Sequence, residues 1–207
     1  MSPSASFAHN FMTAQNIETH PLQPFLPTNA TMLMLGSFPP PKARWKMNFY
    51  YPNFQNDMWR IYGTVFFNDK DYFLNSDKNA FNQEKIEQFL RAKGIAVFDS
   101  GYKIFRQQGN ASDKFLQIIE PINLTEVLAQ IPQCKVIMTA GEKATETLLS
   151  LLDEERVMLK NGENTSITIA QRQYQLYRLP SSSRAYPLAL AKKAEIYRQF
   201  FTDIGML

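Results

Sequence analysis

Four short apolar runs recur along the chain: TMLMLG (31–36), IAVFD (95–99), KVIMTA (135–140) and QYQLYRL (173–179). They alternate with segments of helical spacing, and this alternation most constrains the fold. Side chains of a strand point to opposite faces of its sheet, so a strand apolar at successive positions must be covered on both sides. The covering helices are legible between the runs. Residues 56–67 (NDMWRIYGTVFF) have helical spacing. Asn82 precedes QEKIEQFLRAK, in which Ile86, Phe89 and Leu90 share one face, and Gly94 ends the segment. Asn123 and Glu126 form an N-cap and N3 pair for a helix through Ile131. KVIMTA runs directly into GEKATETLLSLL, and a last helix is predicted over residues 187–204. The pattern predicts an α/β fold of three layers, α/β/α, around a central, mostly parallel four-stranded sheet. One domain is expected over 1–207, with the irregular, Ser-, Asn- and Pro-rich residues 1–30 as an N-terminal arm packed on it.

Composition narrows the class. The 207 residues suffice for one core, and 44% hydrophobic with 20% charged residues describes neither a disordered nor a fibrous chain. No apolar run approaches the ~18 residues of a membrane span. The opening MSPSASFAHN lacks a charged segment followed by an apolar one, so no secretory signal is read and a cytoplasmic location is expected. The lone Cys134 excludes a disulfide framework, a Cys-rich zinc site and a cysteine-held iron–sulfur cluster. A net charge of +3 permits a polyanionic partner without demanding one.

In such a sheet, ligands sit outside the carboxyl ends of the strands. Those ends are GSFPP, TAGEK and LPSSS. None is a GxGxxG or P-loop, and no His, Asp or Glu residues stand at metal-ligand spacing, so neither cofactor nor metal is expected. His9 and His20 both fall in the arm, where they read as surface or local packing residues; a Ser–His–Asp triad would need the arm to supply its base. Asp99 and Asp113 read as structural caps as readily as catalytic carboxylates.

Taken together, the strand ends resemble the uracil-DNA glycosylase superfamily, nearest its hypoxanthine-DNA glycosylase and mismatch-specific thymine/uracil branch. LGSFPP (35–40) is similar to the first motif. FYYPNFQNDMW (49–59) is similar to a tyrosine–x–x–proline–x–asparagine–x–aromatic–tryptophan stretch, with Asn56 and Trp59 on its asparagine and tryptophan. VFD (97–99) with FRQQGNASD (105–113), TAGEKA (139–144) and LPSSSRAY (179–186) match later motifs in order. Phe38 stands where the uracil-specific branch keeps a water-activating aspartate, Leu179 where it keeps a base-polarising histidine, and Arg184 where a proline is usual.

The resemblance implies a monofunctional DNA glycosylase, acting as a monomer on DNA that carries a deaminated base, uracil or hypoxanthine. Such an enzyme must flip the nucleotide, orient water and stabilise the departing base. Asn56, with Asn53 as runner-up, is the expected water-orienting residue. Tyr51 and secondarily Phe38 are expected to stack on the base, with Gly36, Ser37, Thr139 and Gly141 at its edge. Pro180, Ser181, Ser182, Ser183 and Arg184, with Lys42 and Arg44, are expected to hold the DNA, the serine turn through amides left free as strand enters helix. The alternatives are a glycosylase-like DNA-binding module with little catalysis and, more remotely, a small-molecule nucleoside hydrolase.

Overall fold

The computed structural model describes residues 16–107 and 113–207. His9 and the segment 108–112 therefore lie outside the described residues. Along the chain come β1 (Ile17–Thr19), β2 (Met32–Gly36), α1 (Met58–Phe67), α2 (Gln83–Lys93), β3 (Ile95–Asp99), β4 (Gly101–Arg106) and β5 (Leu116–Pro121). There follow α3 (Leu124–Ala129), β6 (Val136–Ala140), α4 (Glu142–Leu149), β7 (Asn164–Ile169), β8 (Arg172–Leu179) and α5 (Leu190–Asp203).

The four apolar runs form β2, β3, β6 and β8, which lie parallel in the order β3-β2-β6-β8. Every residue of β2 and β3 is buried, as two-sided cover requires. The expected four-stranded sheet is nevertheless corrected to a five-stranded mixed one, because β7 pairs antiparallel with β8 at the edge. This hairpin lacks the usual signal. Its two-residue turn is Ala170–Gln171, with φ of 48° and 66°, positions where Asn-Gly is the common choice. Left-handed backbone costs a non-glycine residue ~1–2 kcal/mol. Replacing Ala170–Gln171 by Asn-Gly should therefore raise stability by about 1 kcal/mol, read as a higher urea midpoint at unchanged slope.

A second sheet, of order β1-β4-β5 and antiparallel, corrects the reading of the arm as irregular. Ile17–Thr19 of the arm pair as a strand against β4, and Phe25 and Val97 then exchange two backbone hydrogen bonds of 2.9 Å at the edge of β3. A three-residue strand has no period to read, and β4 and β5 are only half buried.

The helix caps follow their sequence signals. Asn82 Oδ1 accepts from the Lys85 amide at 3.1 Å and Asn123 Oδ1 from the Glu126 amide at 3.2 Å. The helix begun at Asn123 stops at Ala129, two residues short of its predicted end. α1 is buried almost all round, with Trp59 and Tyr62 fully enclosed. At the other end of the chain, α5 begins at Leu190, so residues 180–189 form a loop rather than a turn into a helix.

Candidate active site

The carboxyl ends of β2, β3, β6 and β8 and the loops that leave them enclose a cleft of about 450 Å³. Gly36, Ser37, Asp99 and Ala140 are buried where the strands end in it, and Phe38, Tyr51, Asn53 and Asn56 join them from the loop between β2 and α1. Gly141, Ser181, Ser182, Ser183, Arg184 and Arg44 also line it. Residues far apart in sequence thus meet in one place, as parallel strands deliver their exits to the same edge.

Three expected contributors do not reach the cleft. Thr139 is wholly buried, its hydroxyl sharing a 2.7 Å hydrogen bond with that of Thr145 and so pinning β6 to α4. Lys42 lies over the Trp45 ring, 5.8 Å from its centroid. Pro180 turns its carbonyl away to accept from the Tyr197 hydroxyl at 2.9 Å.

The loop carrying the two asparagines is held by α1. The Arg60 guanidinium donates to the carbonyls of Phe54 and Asn56 at 2.7 and 3.0 Å while lying over the Phe54 ring. Asn56 Oδ1 accepts from the Met58 amide at 2.9 Å, and Asn53 Oδ1 from the Gln55 amide at 3.0 Å. Each carboxamide oxygen spends one lone pair on this local turn, which orients the group; an amide has a second lone pair and two N–H donors.

The serine turn is organised differently from expectation. The Ser183 and Ala185 amides donate to the hydroxyls of Ser181 and Ser183, both at 3.2 Å, so neither belongs to a helix start. Arg184 Nε donates to Asp57 Oδ1 at 3.0 Å. The half-exposed guanidinium therefore sits at the rim, tied to the start of α1.

His20 and Asp99 are the pair that sequence reasoning missed. His20 is buried, not a surface residue, and its Nε2 stands 2.7 Å from Asp99 Oδ2. The Leu22 amide donates to Nδ1 at 3.1 Å, which leaves Nε2 as the ring nitrogen that donates to the Asp99 carboxylate. Phe38 and Phe98 set their rings edgewise on the imidazole at 5.1 and 4.9 Å. Asp99 caps no helix: it ends β3 and faces the cleft. Beside it, burial and the Asp99 charge hold the Tyr50 hydroxyl far above the ordinary phenol range. The two partners lie 79 residues apart, and the arm's docking on β3 and β4 is what joins them. The one available sign was an Asp closing an otherwise apolar strand.

Among the described residues, no group of three or more His, Cys, Asp and Glu could hold a metal, and no helix is long and apolar enough to cross a membrane. No family model matches the chain, and no curated protein matches it. Among solved structures it is similar to the solution NMR structure of "a putative Uracil DNA glycosylase from Methanosarcina acetivorans". The TM-score is 0.54 at 21% identity, over 88% of this chain and 98% of that one. At this identity the similarity establishes a shared mixed α/β fold.

Proposed function

We propose that the chain is a monofunctional DNA glycosylase of the uracil-DNA glycosylase superfamily that hydrolyses the N-glycosidic bond of a flipped uracil or hypoxanthine. The observation that carries this reading is the convergence of Asn53, Asn56, Phe38 and Tyr51 on one strand-end cleft, in a fold shared with the Methanosarcina acetivorans protein titled a uracil DNA glycosylase. The reaction needs little covalent help from the protein. The C1′–N bond breaks with its electron pair going to the base, an oxocarbenium-like sugar develops, and water attacks C1′.

Asn56, fixed by Met58 and Arg60, holds that water through its carboxamide. Phe38 is the stacking ring. Tyr51 leans its ring edgewise on Trp59 and joins Phe38 in walling the pocket. The 181–184 turn and Arg44 meet the DNA backbone as a monomer engages the duplex.

The test is single-turnover excision from a duplex with one deoxyuridine or deoxyinosine, read by alkaline strand scission. Asn56→Ala should lower the rate on the order of 100- to 1,000-fold, the usual worth of one oriented polar group. A wild-type rate in Asn56→Ala with none in Asn53→Ala would move the water to Asn53. Release of neither base, with equal affinity for damaged and undamaged duplex, would overturn the proposal.

A further inference from the structure

We propose that Arg184 is a positioning residue: it reaches from the serine turn to grip the side chains on either side of Asn56 and so fixes the carboxamide that holds the attacking water. This rests on the glycosylase reading above and on its placing of the water at Asn56.

Two arginines hold the four residues from Phe54 to Asp57, taking alternate positions. Arg60 of α1 donates to the carbonyls of Phe54 and Asn56 at 2.7 and 3.0 Å. Arg184 takes the side chains of the other two. Its Nε donates to Asp57 Oδ1 at 3.0 Å, and its Nη1 donates to Gln55 Oε1. Asn56 therefore sits at the centre of a bracket, its own Oδ1 accepting from the Met58 amide. A guanidinium suits this task because Nε and Nη1 donate in a fixed planar fork, which an ammonium lacks.

Asp57 is committed to the bracket rather than to its own helix. It stands at the N-cap of α1, where a carboxylate ordinarily accepts from an amide of the first turn, yet it makes no such bond. Instead Oδ1 takes Arg184, Oδ2 faces the Lys193 ammonium at 3.6 Å, and the Asp57 amide donates to the Ser182 carbonyl at 3.0 Å. Both cations come from the chain after β8. The carboxylate thus ties the asparagine loop to the serine turn at the rim of the cleft. It also offsets the Arg184 charge there, which leaves the serines of the turn and Arg44 to meet the phosphates.

Water attack at C1′ depends on placement, and an ångström of error in a positioned group costs about 100-fold in rate. Asn56 lies in a loop, not on a strand or helix, so its position is only as firm as these side-chain ties. The bracket supplies the side of that support that α1 does not.

The experiment follows single-turnover excision from duplexes with one deoxyinosine or deoxyuridine as enzyme concentration is raised. The rate at saturation and the half-saturating concentration are then read separately. Arg184→Ala should lower the saturated rate on the order of 10- to 100-fold. Its half-saturating concentration and salt dependence should stay those of the wild type, because no phosphate contact is lost. Arg184→Lys keeps the charge without the fork and should be slowed comparably. Gln55→Ala removes one acceptor from an exposed residue, leaves the fold intact by urea midpoint, and should slow the reaction on the order of 10-fold. In an Asn56→Ala background, Arg184→Ala should cost no further rate, since its effect passes through that carboxamide.

A wild-type saturated rate in Arg184→Ala, Arg184→Lys or Gln55→Ala overturns the positioning role. A loss confined to affinity and salt slope overturns it too, and gives Arg184 to the DNA instead. So does a full further loss of rate in the Asn56→Ala background. Asn56→Ala at the wild-type rate overturns the water's place, and the bracket with it. Release of neither base by the wild type overturns the glycosylase reading itself.

Discussion

Gly36→Ala should abolish lesion excision, with a loss of at least ~100-fold in single-turnover rate, the scale expected from an ångström of misplacement. Gly36 closes β2 in register with Asp99 of β3. The added methyl group would stand 2.5 Å from Asp99 Oδ1 and 2.8 Å from Tyr51 Oη, distances that real Cβ atoms do not tolerate. Neither neighbour can retreat freely. Asp99 is bonded to buried His20, and the Tyr51 ring packs against Trp59. Overpacking of this kind costs about 1–3 kcal/mol, so the variant should fold with a lowered urea midpoint while its activity is lost. A variant that folds and excises at the wild-type rate would show that the two oxygens yield without consequence to the site.

The largest loss of stability is expected from Lys193→Met, about 3–5 kcal/mol by urea unfolding, the usual cost of removing one partner of a buried pair. Lys193 is fully buried on α5, where its ammonium donates to the Ser183 carbonyl at 2.9 Å and lies 3.6 Å from Asp57 Oδ2. Burial lowers its pKa below that of an ordinary amine, while the Asp57 charge pulls it upward. Asp57 is itself buried, and its amide donates to the Ser182 carbonyl at 3.0 Å. Without Lys193, Asp57 is left among the described residues with the half-exposed Arg184 as its ion-pair partner, and the Ser183 carbonyl is left with the Tyr186 amide, which donates to it at 3.1 Å. Asp57→Asn combined with Lys193→Met should cost less than the two losses added, by about 1 kcal/mol or more, because the pair shares one network. Simple additivity would show that the two charges act independently. The loosened serine turn should also weaken duplex binding, which an anisotropy titration would read.

This network gives Arg184, expected from the sequence to hold DNA, a partner within the protein. A long cation in a serine turn suits a DNA groove and a local carboxylate equally well, and Asp57 is 127 positions away. Lys193 was less visible still, one lysine among the polar residues of an amphipathic helix. Its neighbours in sequence give no sign that α5 faces the 181–184 loop at that position.

Much of the architecture was open to inspection because it depends on local pattern. β2 and β3 read as buried because they are apolar at almost every position, and α2 and α3 start where an asparagine can accept from an amide three residues on. The motif-bearing exits GSFPP and PSSS were assigned to one strand edge because parallel connectivity sends them there. The edge strand β7 escaped because Ala170–Gln171 adopts by tertiary pairing a turn its residues do not favour.

The sequence by itself therefore determined the buried strands, the capped helices and the edge on which the cleft opens, since each follows from side-chain period and chain connectivity. Only the tertiary structure decided how the cleft is equipped. The docking of the arm delivers His20 to Asp99, the bare Gly36 admits two oxygens to one spot, and Lys193 rises beneath the serine turn. Each of these is a contact between residues tens of positions or whole elements apart. Such contacts are stabilised by burial and hydrogen bonding that exist only once the chain has folded.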